Sequence, residues 1–168
     1  DNLDPNFIRY YYASKLGPSM EDIDLNMDDF VARVNSDLVG KLINIASRCS
    51  GFINKNFDGK LASQLDDTDL FDIFSKSSQS IANHYEVREY SKAMKQIMQL
   101  ADKANRYIEE KKPWVMIKND EQAKDVQRVC TQGLNLFRLL MIYLSPVLPK
   151  IADEVKIFFL FAINLTAI

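Results

Sequence analysis

The sequence predicts an all-α protein, an antiparallel bundle of about five helices joined by short connections. Three observations predict it. Apolar residues recur at steps of three and four over long stretches, and no stretch alternates convincingly at the two-residue period of a strand. Only five Gly and five Pro occur in 168 residues, most of them between the periodic segments. The apolar share of 47% is ordinary for a globular chain and far too high for disorder, and the length fits one domain with room for a piece of a second.

Each element follows from its own residues. "DPNFIRYYYASKL" reads as a first helix, with Asp4 as N-cap and Pro5 at the first helical position. "GPSMEDIDLN" reads as a linker that ends in Asn26, a second cap, with Leu25 and Phe30 placed for a hydrophobic staple across it. A long helix follows, whose apolar stripe is Met27, Val31, Val34, Leu38, Leu42, Ile45, Cys49 and Phe52; "NFDG" closes it as a turn. "DDTDLFDIFSKSSQSIANHY" carries Leu70, Ile73, Phe74, Ile81 and Tyr85 behind Asp or Thr caps. The next helix starts near Glu86, turns Tyr90, Ala93, Met94, Ile97, Ala101, Ala104 and Ile108 inward, and must end before Pro113. Val126, Val129, Cys130, Phe137, Leu140, Met141 and Leu144 mark another long helix. A last one starts with Pro146 or Pro149 in its first turn.

Composition excludes several functions. The net charge of −2 and the absence of a basic field give no support to bulk nucleic-acid attraction, so any RNA contact must come from a local constellation. Two scattered cysteines, Cys49 and Cys130, and one histidine cannot build a zinc or iron–sulfur site. The cysteines read as small apolar residues on helix faces in a reducing cytosol. The opening residues show no signal peptide, and the apolar "IFFLFAINLTAI" falls short of the roughly 20 residues a membrane span needs. That end reads as a last helix or strand cut from its surroundings, and the chain as an excised piece of a larger one.

Catalytic chemistry finds little here. His84 has no neighbour in sequence that reads as nucleophile or metal partner and is expected at a surface or helix end. Asp66, Asp67 and Asp69 cluster at a helix start, where they complement the dipole. There is no Gly-rich phosphate loop and no serine elbow.

Two features point to binding. Lys41, Asn44, Arg48 and Lys55 line one flank of the long helix, and Asn44 and Arg48 lie one turn apart. Arg offers a planar fork of donors and Asn offers donor and acceptor, groups suited to a base edge; a solvated flank with one helix–helix hydrogen bond is the plainer alternative. The only tryptophan, Trp114, follows Pro113 at a helix exit, where it can close the end of a core or serve as a stacking platform for an unpaired base. Periodicity leaves both choices open.

Taken together the motifs "NFIRYYYASKL", "DIDLNMDDFVARVNSDLVGKLINIASRCSGFINKNFDG", "KAMKQIMQLADKANRYIEEKKPW" and "GLNLFRLLMIYLSPVLPKIADEV" resemble, in this order, bacterial methionyl-tRNA synthetases. The resemblance runs from about Asp4 to Val155, and the pairing of "NIASR" with "KPW" is its most specific part. It implies that residues 1–25 are the end of a stem-contact region and linker, and residues 26–168 an α-helical anticodon-binding domain of the class I type. It implies Asn44, Arg48, Pro113 and Trp114 as anticodon-binding residues that read the CAU anticodon of methionine tRNA mainly through its cytosine. Lys41 and Lys55 are possible phosphate contacts by helix phase.

The ATP-handling HIGH-like and KMSKS-like signatures of that family are absent from this sequence, and so is its cysteine-rich zinc knob. The resemblance therefore implies a piece that needs no cofactor and is inactive alone. ATP, Mg2+ and Zn2+ would belong to the intact cytoplasmic enzyme, whose catalytic domain is the other expected partner. After Val155 the sequence departs from the family pattern, and the family's C-terminal dimerisation module is absent. Two alternatives stay open: the anticodon-binding domain of another class I synthetase, and a helical protein-interaction scaffold with no RNA role.

Overall fold

The side chain of Asp4 accepts a hydrogen bond from the backbone N–H of Asn6, and Pro5 begins helix α1, Pro5–Ala13. Both are as the sequence predicts. A computed structural model of the chain describes residues 3–19 and 22–161. The rest of the tail "AINLTAI" that the sequence reading marked as apolar lies outside the described residues.

Asn26 caps α2, Met27–Arg33, by accepting from Asp29 N–H. The staple forms differently from the expectation. Leu25 stays exposed, and Phe30 is buried edge-on against Tyr11, with ring centroids 5.5 Å apart. Tyr11 also donates to the Asp29 carboxylate, and its hydroxyl accepts from Asn26 N–H, so an aromatic from α1 clamps the start of α2.

The long helix does not keep one pitch. From Val34 to Ile43 the backbone opens into a wide π-type turn with i→i+5 hydrogen bonding, and α3, Asn44–Phe57, continues after it. The buried face explains why. It runs through Phe30, Val34, Leu38, Leu42, Ile45, Cys49 and Ile53, with Met27 and Val31 exposed instead of inward. In an α-helix three successive steps of four drift off a face by about 40° each. A wider turn removes that drift and keeps Phe30 to Leu42 on the core. α3 ends at Asp58 and Gly59, both with positive φ.

The stretch read as one helix is two: α4, Thr68–Lys76, capped by Asp67, and α5, Ser78–Glu86. Ser77 joins them, its hydroxyl donating to Ile73 O. Ile73 is exposed, while Phe74 and Ile81 are buried. α6, Tyr90–Lys111, a short α7, Pro113–Met116, and α8, Ala123–Leu144, follow, with a single 3-10 turn at Asp120–Gln122. α9, Pro149–Phe161, opens on Pro149 as predicted.

α8 is the axis of the bundle. Besides its predicted apolar face it buries Thr131, Gln132 and Asn135, most of whose polar groups have uses there, while Gln132 Nε2 lacks a hydrogen-bond partner among the described residues. Thr131 Oγ1 accepts from Ala62 N–H and Gln132 Oε1 accepts from Asp67 N–H, tying down the loop between α3 and α4. α8 runs antiparallel to α3: Gly133 faces Cys49, and Gln127 reaches Lys60 O. α3 and α6, however, run the same way, since 41, 44 and 48 pair in order with 102, 105 and 109. α4 and α5 carry the chain back between them, so the bundle mixes antiparallel and parallel neighbours.

Candidate nucleic-acid interface

Asn44 is the first residue after the wide turn, so that turn sets the angle at which α3 presents its polar flank. The flank faces α6 and forms a ladder with it. Lys41 Nζ lies 3.1 Å from Asp102 and 3.8 Å from Asp37. Asn44 Nδ2 approaches Asn105 Oδ1 at 3.5 Å. Arg48 Nη1 donates to Glu109 Oε2 at 3.0 Å.

α6 reaches this position because its far end is fastened. Tyr107 donates to Asp66 at 2.9 Å, and Lys111 pairs with the same carboxylate at 2.7 Å. Burial first, and then Asp66, push the Tyr107 phenol well above the usual tyrosine range, so it remains a donor.

The exit from α6 turns on one residue. Lys112 adopts left-handed angles, φ 52 and ψ 59, closing α6 with its N–H on Ile108 O and opening α7 with its own carbonyl. A left-handed residue before proline serves the same end as the predicted departure from helical angles. Pro113 is buried and anchors the turn. Trp114 is half-buried, resting on the core with part of its ring outward. The half-buried ring covers the core on one side; a stacking role for its other side is a proposal.

Arg48 and Trp114, 66 positions apart in sequence, meet here. The guanidinium carbon lies 5.4 Å from the ring centroid, within cation–π range. Of the residues expected at the site, Asn44, Arg48 and Trp114 stand on one face with Pro113 beneath. Lys41 is at the edge of that face but engaged by Asp102. Lys55 is exposed in the last turns of α3 and, among the described residues, no hydrogen bond or ion pair joins it to the group. His84 sits at the end of α5 with Glu89 2.9 Å away, the helix-end position the sequence indicates. Cys49 and Cys130 are free, buried and in contact. Hydrogen bonding to Cys130 and then burial push the Cys49 thiol up, which keeps it an unreactive core group.

Sequence reasoning missed the α6 half: Asp102, Asn105 and Glu109. A signal existed. Positions 102, 105 and 109 repeat the three-then-four spacing of 41, 44 and 48 with complementary polarity. Chemically, the face offers an aromatic surface, a guanidinium with donors beyond the one used by Glu109, and a carboxamide, which is a set suited to a splayed base.

Residues 59–162 match the family model described as the anticodon binding domain of methionyl tRNA ligase, and residues 1–50 match that of class I tRNA synthetases (M). A methionine–tRNA ligase from Thiobacillus denitrificans is 58% identical over 156 residues, 93% of this chain. The chain belongs to the methionyl-tRNA ligase family.

Its match spans 23% of that relative's length, so the chain corresponds to a part of such a ligase. Among solved structures, Mycobacterium tuberculosis methionyl-tRNA synthetase in complex with methionyl-adenylate superposes with a TM-score of 0.79 at 22% identity, covering 90% of this chain and 31% of that one. The apo form of the same enzyme gives 0.78 at 20% identity, covering 91% and 34%. These structural likenesses carry the all-α fold. In this member of the family, two matched regions meet near the end of α3, and the ladder joins residues from both: 41, 44 and 48 from the first, 102, 105 and 109 from the second. Among the described residues no helix is long and apolar enough to cross a membrane.

Proposed function

We propose that this chain is the anticodon-binding region of a methionine–tRNA ligase and that it recognises the CAU anticodon loop of methionine tRNA. The observation that carries the reading is the meeting of Arg48 with Trp114 beside Asn44 on a single face. An unpaired base stacks on the Trp114 ring, an interaction worth about 1–3 kcal/mol by alanine substitution. Arg48 donates to acceptors on that base's edge, the cytosine carbonyl O2 and ring N3, in place of or alongside its bond to Glu109. Pro113 and the left-handed Lys112 hold the ring at the bundle surface. Lys41 lies at the edge of this face for a phosphate, in exchange with Asp102.

In this reading residues 1–25 end the stem-contact region and the remainder is the recognition domain. Charging with methionine belongs to the intact ligase, with its ATP, Mg2+ and Zn2+, and the catalytic domain carries the rest of the tRNA. The isolated chain, with a net charge of −2, binds weakly and loses affinity as salt rises. The test is a titration of Trp114 fluorescence with anticodon stem-loops carrying CAU and its single-base variants. A response largest for CAU supports the proposal. An equal response to every stem-loop, or none, overturns it, and a preference for another anticodon points to a different specificity.

A further inference from the structure

We infer that Asn105, on α6, is a positioning residue that locks the carboxamide of Asn44 with its oxygen outward, and that this outward acceptor selects an amino pyrimidine over a keto one. The inference rests on the anticodon reading above and deepens it. Asn105 Nδ2 donates to two backbone carbonyls, Lys41 O at 3.0 Å and Ala101 O at 3.1 Å. A carboxamide nitrogen has two hydrogens, so both are engaged and the amide of Asn105 cannot turn over without setting its oxygen against two carbonyl oxygens. Its Oδ1 is thereby aimed at Asn44, which answers with Nδ2 at 3.5 Å. Turning Asn44 over would set oxygen against oxygen. Asn44 is therefore held with Nδ2 toward α6 and Oδ1 away from it.

The flank then presents an acceptor at Asn44 and, one turn on, the donors of Arg48. The complementary base edge has an exocyclic amino group next to ring acceptors. Cytosine has this pattern, with N4–H2 beside N3 and O2. Uracil sets O4 against the Asn44 oxygen and an N3–H against an Arg48 donor, keeping only O2 as an acceptor for the guanidinium. Lys41 O lies in the wide turn before Asn44, so one side chain fixes both the backbone end of that turn and the amide that follows it. Asn105 touches no base in this scheme and acts only through Asn44.

The experiment measures binding of the 168-residue chain to CAU and UAU stem-loops for wild type, Asn105→Ala, Asn44→Asp and the double variant. An aspartate accepts with either oxygen and needs no orienting partner. The inference expects Asn105→Ala to shrink the CAU-over-UAU ratio by about tenfold, the order of one hydrogen bond. It expects Asn44→Asp to keep the ratio, and the double variant to keep it as well. A merely structural role for Asn105 would lower the ratio in the double variant as much as in Asn105→Ala, and that result overturns the inference. An unchanged ratio in Asn105→Ala also overturns it. Should Asn105→Ala lose its helical content, Asn44→Asp alone decides, because loss of the ratio there refutes the outward acceptor. If wild type itself shows no preference among stem-loops, the anticodon reading has failed first, and that outcome is distinct from all of these.

Discussion

Replacing Gly133 with Ala tests how the core sets the recognition face. Gly133 lies inside α8 where α3 and α6 converge on it. A Cβ at this position would lie 2.5 Å from Cys49 Sγ and 3.3 Å from Ile108 Cδ1, and both neighbours are fully buried. Ordinary contact between such atoms is about 3.5–4.0 Å, so the overlap with sulfur is on the order of 1 Å. Cys49 can leave the site only by turning its single side-chain torsion within a fully buried neighbourhood. Alanine gains about 1 kcal/mol over glycine by helix propensity, against about 1–3 kcal/mol for overpacking a close-packed core. The balance predicts a net loss of up to about 2 kcal/mol at a position where propensity alone predicts a gain. Gly51 supplies the control, since it lies in α3 with nothing within 4 Å of its would-be Cβ, and Gly51→Ala should stabilise. Urea denaturation followed by circular dichroism reads both as a shift of midpoint at constant slope. The wedge has a functional reading too, because Cys49 follows Arg48 and Ile108 precedes Glu109. Forcing α3 and α6 away from α8 disturbs the ladder, and CAU stem-loop affinity should fall in Gly133→Ala but hold in Gly51→Ala. Adding Cys49→Ala to Gly133→Ala should recover most of the stability. If Gly133→Ala behaves like Gly51→Ala, the three-helix close approach does not constrain the molecule and the reasoning fails.

Trp114→Ala should lower anticodon affinity by about 1–3 kcal/mol with helical content unchanged, measured by stem-loop competition and circular dichroism; a collapse of thermal stability instead would make the ring chiefly a core lid. Glu109→Gln removes an ion pair whose side chains are 34% and 58% exposed, so its effect on the urea midpoint should stay within about 1 kcal/mol. It also removes a carboxylate that competes with RNA for Arg48, so stem-loops of every sequence should bind more tightly and selectivity should narrow; unchanged binding would mean the guanidinium is not shared. Lys15 holds the Asp29 carboxyl below its ordinary range; desolvation opposes it, and Tyr11 adds to the lowering. A depressed folded-state value means that the contribution is present above the unfolded carboxylate range and is lost as pH falls through the folded value. Thermal melts should therefore show an acid limb that Asp29→Asn flattens, and an identical limb in the variant would assign acid sensitivity elsewhere.

The parts of the fold legible in the sequence are those governed by local chemistry. Asp4, Asn26 and Asp67 cap helices because a short polar side chain before an apolar run satisfies free N–H groups wherever it occurs. The faces of α6 and of the apolar side of α8 follow from period alone. The stripe of α2 did not, because steps of four at Phe30, Val34, Leu38 and Leu42 signal a wider turn that a template of fixed pitch converts into the exposed Met27 and Val31. Nor did the burial of Thr131 and Gln132, whose hydroxyl and amide oxygen serve partners distant in sequence, or of Asn135, whose amide bonds Thr131 O one turn back.

The recognition face divides along the same line. Asn44 and Arg48 are neighbours on one helix, so their shared flank is a local property that spacing reveals. Their partners Asp102, Asn105 and Glu109 depend on α6 returning parallel to α3, a non-local fact that α4 and α5 decide. Yet the partners settle what the flank can do. With one Arg48 donor held by a carboxylate and Asn44 held by an amide, a nucleotide that joins this face meets groups already fixed in position and must match their geometry. On the proposed reading, a phosphate would gain the guanidinium at the cost of Glu109, and a keto base would meet the Asn44 oxygen with another acceptor. On the same proposed reading, a base with an amino group would satisfy the Asn44 oxygen, keep the Arg48 donors and stack on Trp114. Discrimination on this face, so read and in a chain of net charge −2, would come from matching these held groups more than from a bulk basic field.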